Sequence, residues 1–424
     1  MNDLYHTNTI IKLFLKFNKR KCNMHKIFIA NKKSLLPLLI VLLISSCNEN
    51  AKTAETVEPT DITKAIALEI AVKKYQKFAN QLNINNGHPR AIENNQWRQT
   101  HWQSWTDGFF PGILWQLSLI DDALENQAAL WTLPLEQHAL MSSHDVGFII
   151  NNSFGKAYRV TGDPKYLPTI EAAAQTLANR YNASVQATRS WDFGSYQFPV
   201  IIDNMMNLSL LFAASNLFDT QPYYSVALNH ASTTAKHHLR ENGSSFHLVD
   251  FNRETGAVIS KSTVQGFMDD STWARGQAWG IYGFTIAFIE TGDNGFKETA
   301  IAMAKFFINH LPSDHVPYWD FNVDGVNAPK DTSAAAIAAS SLWLLSNQVL
   351  DTALGETLKD ESLAITSSLL SSNYFNSNVD YPALLLHATG NKPAEKEVDT
   401  SLIYADYYFI EALLLQQGII KYPL

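Results

Sequence analysis

From residue 61 onward the apolar residues recur every three or four positions, and this rhythm restricts the fold more than any other feature of the chain. Ile62, Ala65, Leu68, Val72, Tyr75, Ala79 and Leu82 form one stripe. Ile170, Ala173, Leu177 and Tyr181 form a second, and Ala300, Met303, Phe307 and Leu311 a third. Such spacing puts each set on one face of a helix. The Ala-rich run 333–350 carries no charge, which predicts a helix buried on more than one side. The turns between these segments repeat as well. Thr161-Gly162-Asp163-Pro164 and Thr291-Gly292-Asp293-Asn294 are near copies, and Asp219-Thr220-Gln221-Pro222, Asp351-Thr352 and Ala388-Thr389-Gly390-Asn391 are looser versions. Glycine ends a helix in the left-handed conformation, and Asp or Pro opens the next. Asp163 and Asp219 lie 56 residues apart, Asp293 and Asp351 58, the length of two helices with their loops. Residues 61–424 therefore predict one all-α domain of six helical hairpins, closed as a toroid or open as a solenoid. The aromatic segments Trp191–Ile202 and Ser245–Ser260 read as loops or small strand pairs. No run of parallel strands supports a doubly wound sheet or a β/α barrel.

The first sixty residues read differently. Lys32 and Lys33 precede an apolar run from Leu35 to Ile44, followed by Ser45, Ser46 and Cys47. As a helix that run spans roughly 15 Å, too short for a hydrocarbon core of about 30 Å. Residues 1–46 are expected to be a secretory signal, and a start at Met24 would give it ordinary proportions. Ile44-Ser45-Ser46-Cys47 resembles a bacterial lipobox, with Cys47 as the lipidated mature N-terminus and residues 47–60 as a flexible tether. The expectation is an exported lipoprotein, periplasmic or associated with the outer membrane, that meets the membrane through its lipid only. The other cysteine, Cys22, lies within the signal, so no disulfide is expected.

A formal net charge of -8 and the lack of a basic run beyond the first forty residues argue against nucleic-acid binding. No metal-ligand spacing, phosphate loop or nucleophile elbow occurs, so neither metal nor cofactor is expected. What remains are acids in apolar surroundings. Asp145 lies in His144-Asp145-Val146-Gly147-Phe148, Asp203 in Ile201-Ile202-Asp203-Asn204-Met205, and Asp107 in Trp105-Thr106-Asp107-Gly108-Phe109. Each has an ordinary reading, as a helix cap or a turn residue. Asp145 and Asp203 also have a functional one. Two carboxylates in one aromatic pocket disfavour double ionisation, which keeps one of them protonated as a general acid. Arg275 stands between Trp273 and Trp279 and shares a helix face with Trp279. It reads either as a snorkelling arginine or as a bidentate clamp for a substrate carboxylate. His247 alone reads equally well as a hydrogen-bonding residue.

Taken together, these segments resemble the unsaturated glucuronyl hydrolase family, glycoside hydrolase family 88, from about Trp97 to the C-terminus. The segments Trp105–Gly112, His144–Phe148, Asp203–Leu208, Gly243–His247, Trp273–Gly280, Asp331–Ser340 and Ser401–Tyr408 carry the resemblance. It implies an (α/α)6 toroid with its active site in one end. The implied substrates are acidic oligosaccharides left by a polysaccharide lyase, with a C4–C5 double bond in the terminal uronic acid. It also implies Asp203 as general acid and base and Asp145 as the second essential carboxylate. His247, Arg275 and Trp279 match pocket positions, and His144, Trp105 and Trp191 match the pocket wall. The chemistry it implies is hydration of the double bond rather than displacement at the anomeric carbon. Two rivals are an unsaturated rhamnogalacturonyl hydrolase, which differs in the neighbouring sugar, and a non-catalytic helical sugar-binding lipoprotein.

Overall fold

The computed structural model describes residues 62–100, 103–218 and 222–423. The expected signal, Cys47 and the tether lie outside the described residues, as does Asp219-Thr220-Gln221 of one turn.

Helices alternate between an outer and an inner position along the chain. The outer set is α1 (Lys64–Gln81), α3 (Glu125–Thr132), α6 (Leu167–Ala178), α8 (Tyr223–His238), α10 (Asn294–Asn309) and α12 (Thr352–Leu369). The inner set begins with α2 (Phe109–Ser118). Next comes α4 (Val146–Ile150), which continues through a π-helical stretch, Asn151–Gly155, into α5 (Lys156–Thr161). It ends with α7 (Asn204–Phe218), α9 (Ala274–Thr291), α11 (Thr332–Ser346) and α13 (Ile403–Gln416). The inner helices touch in sequence: α2 packs on α5, α4 on α7, α7 on α9, α9 on α11 and α11 on α13. α13 then returns to α2. That last contact closes the ring, so the hairpins form a toroid and not a solenoid.

The two sets differ in burial as the geometry requires. All ten residues of α2 are buried, as are Ala274 to Ala287 of α9 and Ile403 to Leu415 of α13. Outer helices bury one stripe only; α1 buries Ala67, Leu68, Ala71, Tyr75 and Ala79 while Ala65 is exposed. The recurring turns form as their residues dictate. Gly162 and Gly292 end α5 and α9 with φ of 69° and 72°, and Asp293 caps α10 by accepting from the Gly295 N–H at 2.8 Å. Tyr181 and Leu311, the last members of two apolar stripes, lie just beyond α6 and α10.

The two aromatic segments left open between loop and strand combine into one antiparallel sheet. Its strands are β5 (Pro199–Ile201), β6 (Leu248–Phe251) and β7 (Val258–Ser262), in that order. A two-stranded ribbon, β1 (His88–Glu93) and β2 (Gln96–Thr100), and a short pair, β3 (Tyr181–Asn182) with β4 (Ala187–Thr188), complete the strands of the described residues. Because outer and inner helices alternate in direction, every inner helix starts at the same end of the toroid. Asp145, Asp203, Trp273, Asp331 and Leu402 immediately precede α4, α7, α9, α11 and α13. This end gathers partial positive charge from several helix termini.

Candidate active site

Strand pairing places Asp203 beside His247. The Ile202 N–H donates to the His247 carbonyl at 2.9 Å, extending the β5–β6 ladder by one step to the start of α7. The His247 ring is then fixed by the loop after β7. Its Nδ1 accepts from the Val264 and Gln265 N–H groups at 3.1 and 3.3 Å. A nitrogen that accepts from amide donors bears no proton, so the neutral ring carries its hydrogen on Nε2. Burial, with the Arg275 charge next, pushes His247 down to about 3, and the ring is neutral at physiological pH. Nε2 stands 3.7 Å from Asp203 Oδ2, and neither buried atom has a hydrogen-bond partner among the described residues. A donor and an acceptor left bare side by side cost stability in the empty protein and suit a ligand hydroxyl.

Burial is also the largest influence on Asp203 and raises its carboxyl to about 7. The Arg275 charge opposes that rise, and the Asp145 charge adds to it. The two aspartates thus act on each other across one site. Asp145 occupies the cap position of α4 but makes no capping bond. Instead its Oδ2 accepts from Ser143 Oγ at 2.9 Å, and His144 Nε2 lies 3.3 Å from its Oδ1. Asn207 connects the pair. Its Oδ1 accepts from the Phe148 N–H at 2.6 Å, which orients the amide so that Nδ2 faces His144 Nδ1 at 3.3 Å and the Asp203 carbonyl at 3.4 Å. His144 Nδ1 is therefore the acceptor, which leaves the ring proton on Nε2, the nitrogen nearer Asp145. Gly147 permits this approach of α4 to α7, since a Cβ there would lie 2.5 Å from Asn207 Oδ1.

Two expectations are corrected. Arg275 is 1% exposed, and its fork is already occupied. Nη1 donates to Asp331 Oδ2 at 3.0 Å and to the Thr389 carbonyl, and Nη2 donates to the Gly390 carbonyl at 2.6 Å. The guanidinium lies over Trp273 at 4.4 Å. It is a charge built into the wall beside Asp203, with three of its N–H groups committed to the protein and Nε without a partner among the described residues. Trp279 is fully buried and packs on Phe148 and Tyr408, each with ring centroids 5.2 Å away. It supports the floor and presents no face to a sugar. Trp105 is half-buried, 4.8 Å from the Tyr404 ring, and Trp191 stacks on the exposed Phe193 at 5.5 Å. Asp107 is structural: its carboxylate accepts from Thr100 Oγ1 at 2.6 Å and the Ser104 N–H at 3.1 Å.

Asn207, Asp331 and Tyr404 are site residues that sequence reasoning did not assign. Asn207 lies one helical turn after Asp203 and was accessible to face-counting. Asp331 pairs with a residue 56 positions away, which no local pattern reveals. A cleft of about 1130 Å³ opens beside Asp145, lined among others by Trp105, Ser143, Phe193, Arg90, Arg98 and Glu397, with the Arg90 guanidinium 6.0 Å from the Trp105 ring.

Residues 144–371 match Glycosyl Hydrolase Family 88. The chain is 37% identical over 402 residues to an unsaturated glucuronyl hydrolase of Formosa agariphila, covering 92% of this chain and 99% of that one. Among solved structures, an unsaturated glucuronyl hydrolase specific for heparin superposes with a TM-score of 0.80 at 39% identity, covering 84% of this chain and 98% of the other. A variant of the Streptococcus agalactiae unsaturated glucuronyl hydrolase, complexed with dGlcA-GalNAc6S, gives a TM-score of 0.72 at 30% identity, with coverage of 85% and 93%. The fold, the ring of inner helices and these likenesses agree: the chain belongs to glycosyl hydrolase family 88.

Proposed function

We propose that this glycoside hydrolase releases a terminal 4,5-unsaturated uronic acid from the acidic oligosaccharides that polysaccharide lyases leave, by hydrating the C4–C5 double bond. The observation that carries the reading is Asp203: a carboxyl raised to about 7, its Oδ2 bare and facing the bare Nε2 of a neutral histidine. Hydration asks one group to give a proton and then to take one, which favours a pKa near working pH. Protonated Asp203 delivers its proton to C4, and positive charge develops at C5 and the ring oxygen. The carboxylate left behind takes a proton from water as the water oxygen bonds to C5. The hemiketal so formed opens, and the bond to the neighbouring sugar breaks with it. This acid–base step contributes roughly 10²–10⁴-fold in rate. The His247 Nε2–H donates to a sugar oxygen next to the reacting carbons. Asp145, held by Ser143 and His144, receives sugar hydroxyls and keeps Asp203 protonated.

The relatives' substrates, heparin in one and dGlcA-GalNAc6S in another, support glycosaminoglycan fragments over the galacturonyl type from pectin. The experiment follows the ultraviolet absorbance of the conjugated double bond in unsaturated disaccharides of both types. Loss of signal with the glucuronyl type, abolished in Asp203→Asn with the fold intact, is the expected result. An Asp203→Asn enzyme that still consumes the double bond refutes the assignment. The stretch Lys32–Cys47 supports an exported lipoprotein anchored through Cys47. Metabolic labelling with a fatty acid should mark the protein, and label persisting in Cys47→Ser would exclude that anchor.

A further inference from the structure

Part of the cleft that Asp145 lines is built around one other carboxylate, Glu397. Pro89 pairs with Gln99 and Ala91 with Arg98, so Arg90 is the extra residue of a β-bulge in β1. A bulge breaks the alternation of a strand and re-aims a side chain, and here it turns Arg90 into the cleft. Arg90 grips Glu397 with two parallel bonds, Nε to Oε1 at 2.5 Å and Nη2 to Oε2 at 3.0 Å, while Nη1 donates to Ser104 Oγ at 2.9 Å. Arg98, from the neighbouring strand, donates to the same Oε1. Glu397 reaches them from a backbone in the left-handed region, φ 54°. That conformation is unfavourable for a residue with a side chain, and it is kept where it delivers the carboxylate. The Glu397 side chain is 10% exposed, against 23% for Arg90 and 35% for Arg98.

These charges balance. The basic residues lining the cleft are Arg90, Arg98 and Lys396, and the acidic ones are Glu93, Glu395 and Glu397, besides Asp145. Two arginines on a rigid ribbon are ready-made equipment for a sulfate or carboxylate. With Glu397 in their grip the equipment is already occupied, by a group of the protein's own.

We propose that Glu397 is a specificity-determining residue: together with Glu93, which pairs with Arg98 Nε at 2.5 Å, it neutralises Arg90 and Arg98 at the cleft wall, so the enzyme favours unsaturated disaccharides whose second sugar is unsulfated. The inference rests on the proposed function, which places the terminal uronic acid at Asp203 and the second sugar outward of Asp145. A sulfate arriving there must either displace a bidentate carboxylate or sit beside it, and like charges in contact are strongly disfavoured.

The test uses three unsaturated glucuronyl–N-acetylgalactosamine disaccharides that are unsulfated, 4-sulfated or 6-sulfated. The wild-type protein is expected to show its highest kcat/KM on the unsulfated form. In Glu397→Gln, which keeps the shape and removes the charge, kcat/KM for a sulfated form should rise about tenfold, through KM, and the gain should shrink as salt is added. Arg98→Gln, a half-exposed position where folding is secure, should move the sulfated forms the other way. A wild-type preference for sulfate, or a ratio of sulfated to unsulfated activity that neither variant changes, would overturn the inference and leave the proposed function standing. No consumption of any of the three by the wild-type protein would overturn both.

Discussion

Asp203 is held near neutrality by opposing influences, and each can be removed by itself. Burial lifts the carboxyl, Arg275 pulls it down and Asp145 lifts it again. If protonated Asp203 starts the reaction, kcat/KM falls as pH rises through about 7. Removing the negative charge at Asp145 makes ionisation of Asp203 easier, so its pKa drops. The residual activity of Asp145→Asn should therefore lose its alkaline side at lower pH than the wild type does. A pH–rate profile on the slow reaction reads this directly; a limb that stays in place would show that Asp145 serves only to hold sugar. Asp203 and Asp145 were legible in the sequence because each is an acid in apolar surroundings. Arg275 and Trp279 were legible as neighbours on one face but not as buried ones. Spacing gives the direction of a side chain around a helix and says nothing of its depth, and the partner that occupies the Arg275 fork, Asp331, arrives from the next inner helix.

At the scale of helices, the same limit explains which elements the sequence displayed. Outer helices face water on one side and protein on the other, so α1, α6 and α10 show clear stripes. An inner helix of a closed ring touches protein on every side, and its periodicity vanishes with its polar face. α2, buried along its whole length, and α13, buried almost to its end, emerged from the sequence only through motifs and hairpin spacing. The three-stranded sheet was visible as two aromatic segments but not as one sheet, because β5 and β6 are separated by α7 and α8. Pairing across such an interval leaves no local signature. Yet that pairing positions the chemistry: it brings the end of β5 and the start of β6 together and with them Asp203 and His247. Gly147 does similar service between helices. Its missing Cβ lets Asn207 reach across from α7, so the segment whose Asp145 read as a helix cap is also a contact between helices.

Six hairpins left ring and solenoid equally open; α13 closes the ring on α2, and α1, the outer helix of the same end of the chain, is tied to it by a polar seam. Tyr75 of α1 donates its hydroxyl to Asp406 of α13 at 2.7 Å, and the same carboxylate accepts from the Leu384 and Leu385 N–H groups at 2.7 and 2.9 Å. Beside it, buried Lys74 donates to the carbonyls of Asn376 and Ala383. Burial raises Asp406 to about 6, against these donors. Tyr75→Phe removes one donor from a buried carboxylate and should cost about 1–3 kcal/mol. The sign of its pH dependence follows from the shift. With the Tyr75 bond gone the folded-state pKa climbs further above the ordinary 3.8, so the folded state holds its proton to higher pH than the unfolded chain does. The penalty's pH-dependent part is then absent below about pH 6, where both folded proteins hold the proton, and grows until pH passes the variant's raised value. Urea unfolding at pH 5 and pH 8 measures both: an equal cost would show that the bond stabilises the fold without moving the Asp406 proton, and an absent one that the seam contributes nothing. In an open solenoid a lesion in the terminal hairpin loosens that hairpin first. In a closed ring both neighbours of α13 depend on the seam, so the whole transition should shift as one. An early, separate unfolding of α1 in the variant would argue that the ring touches without being joined.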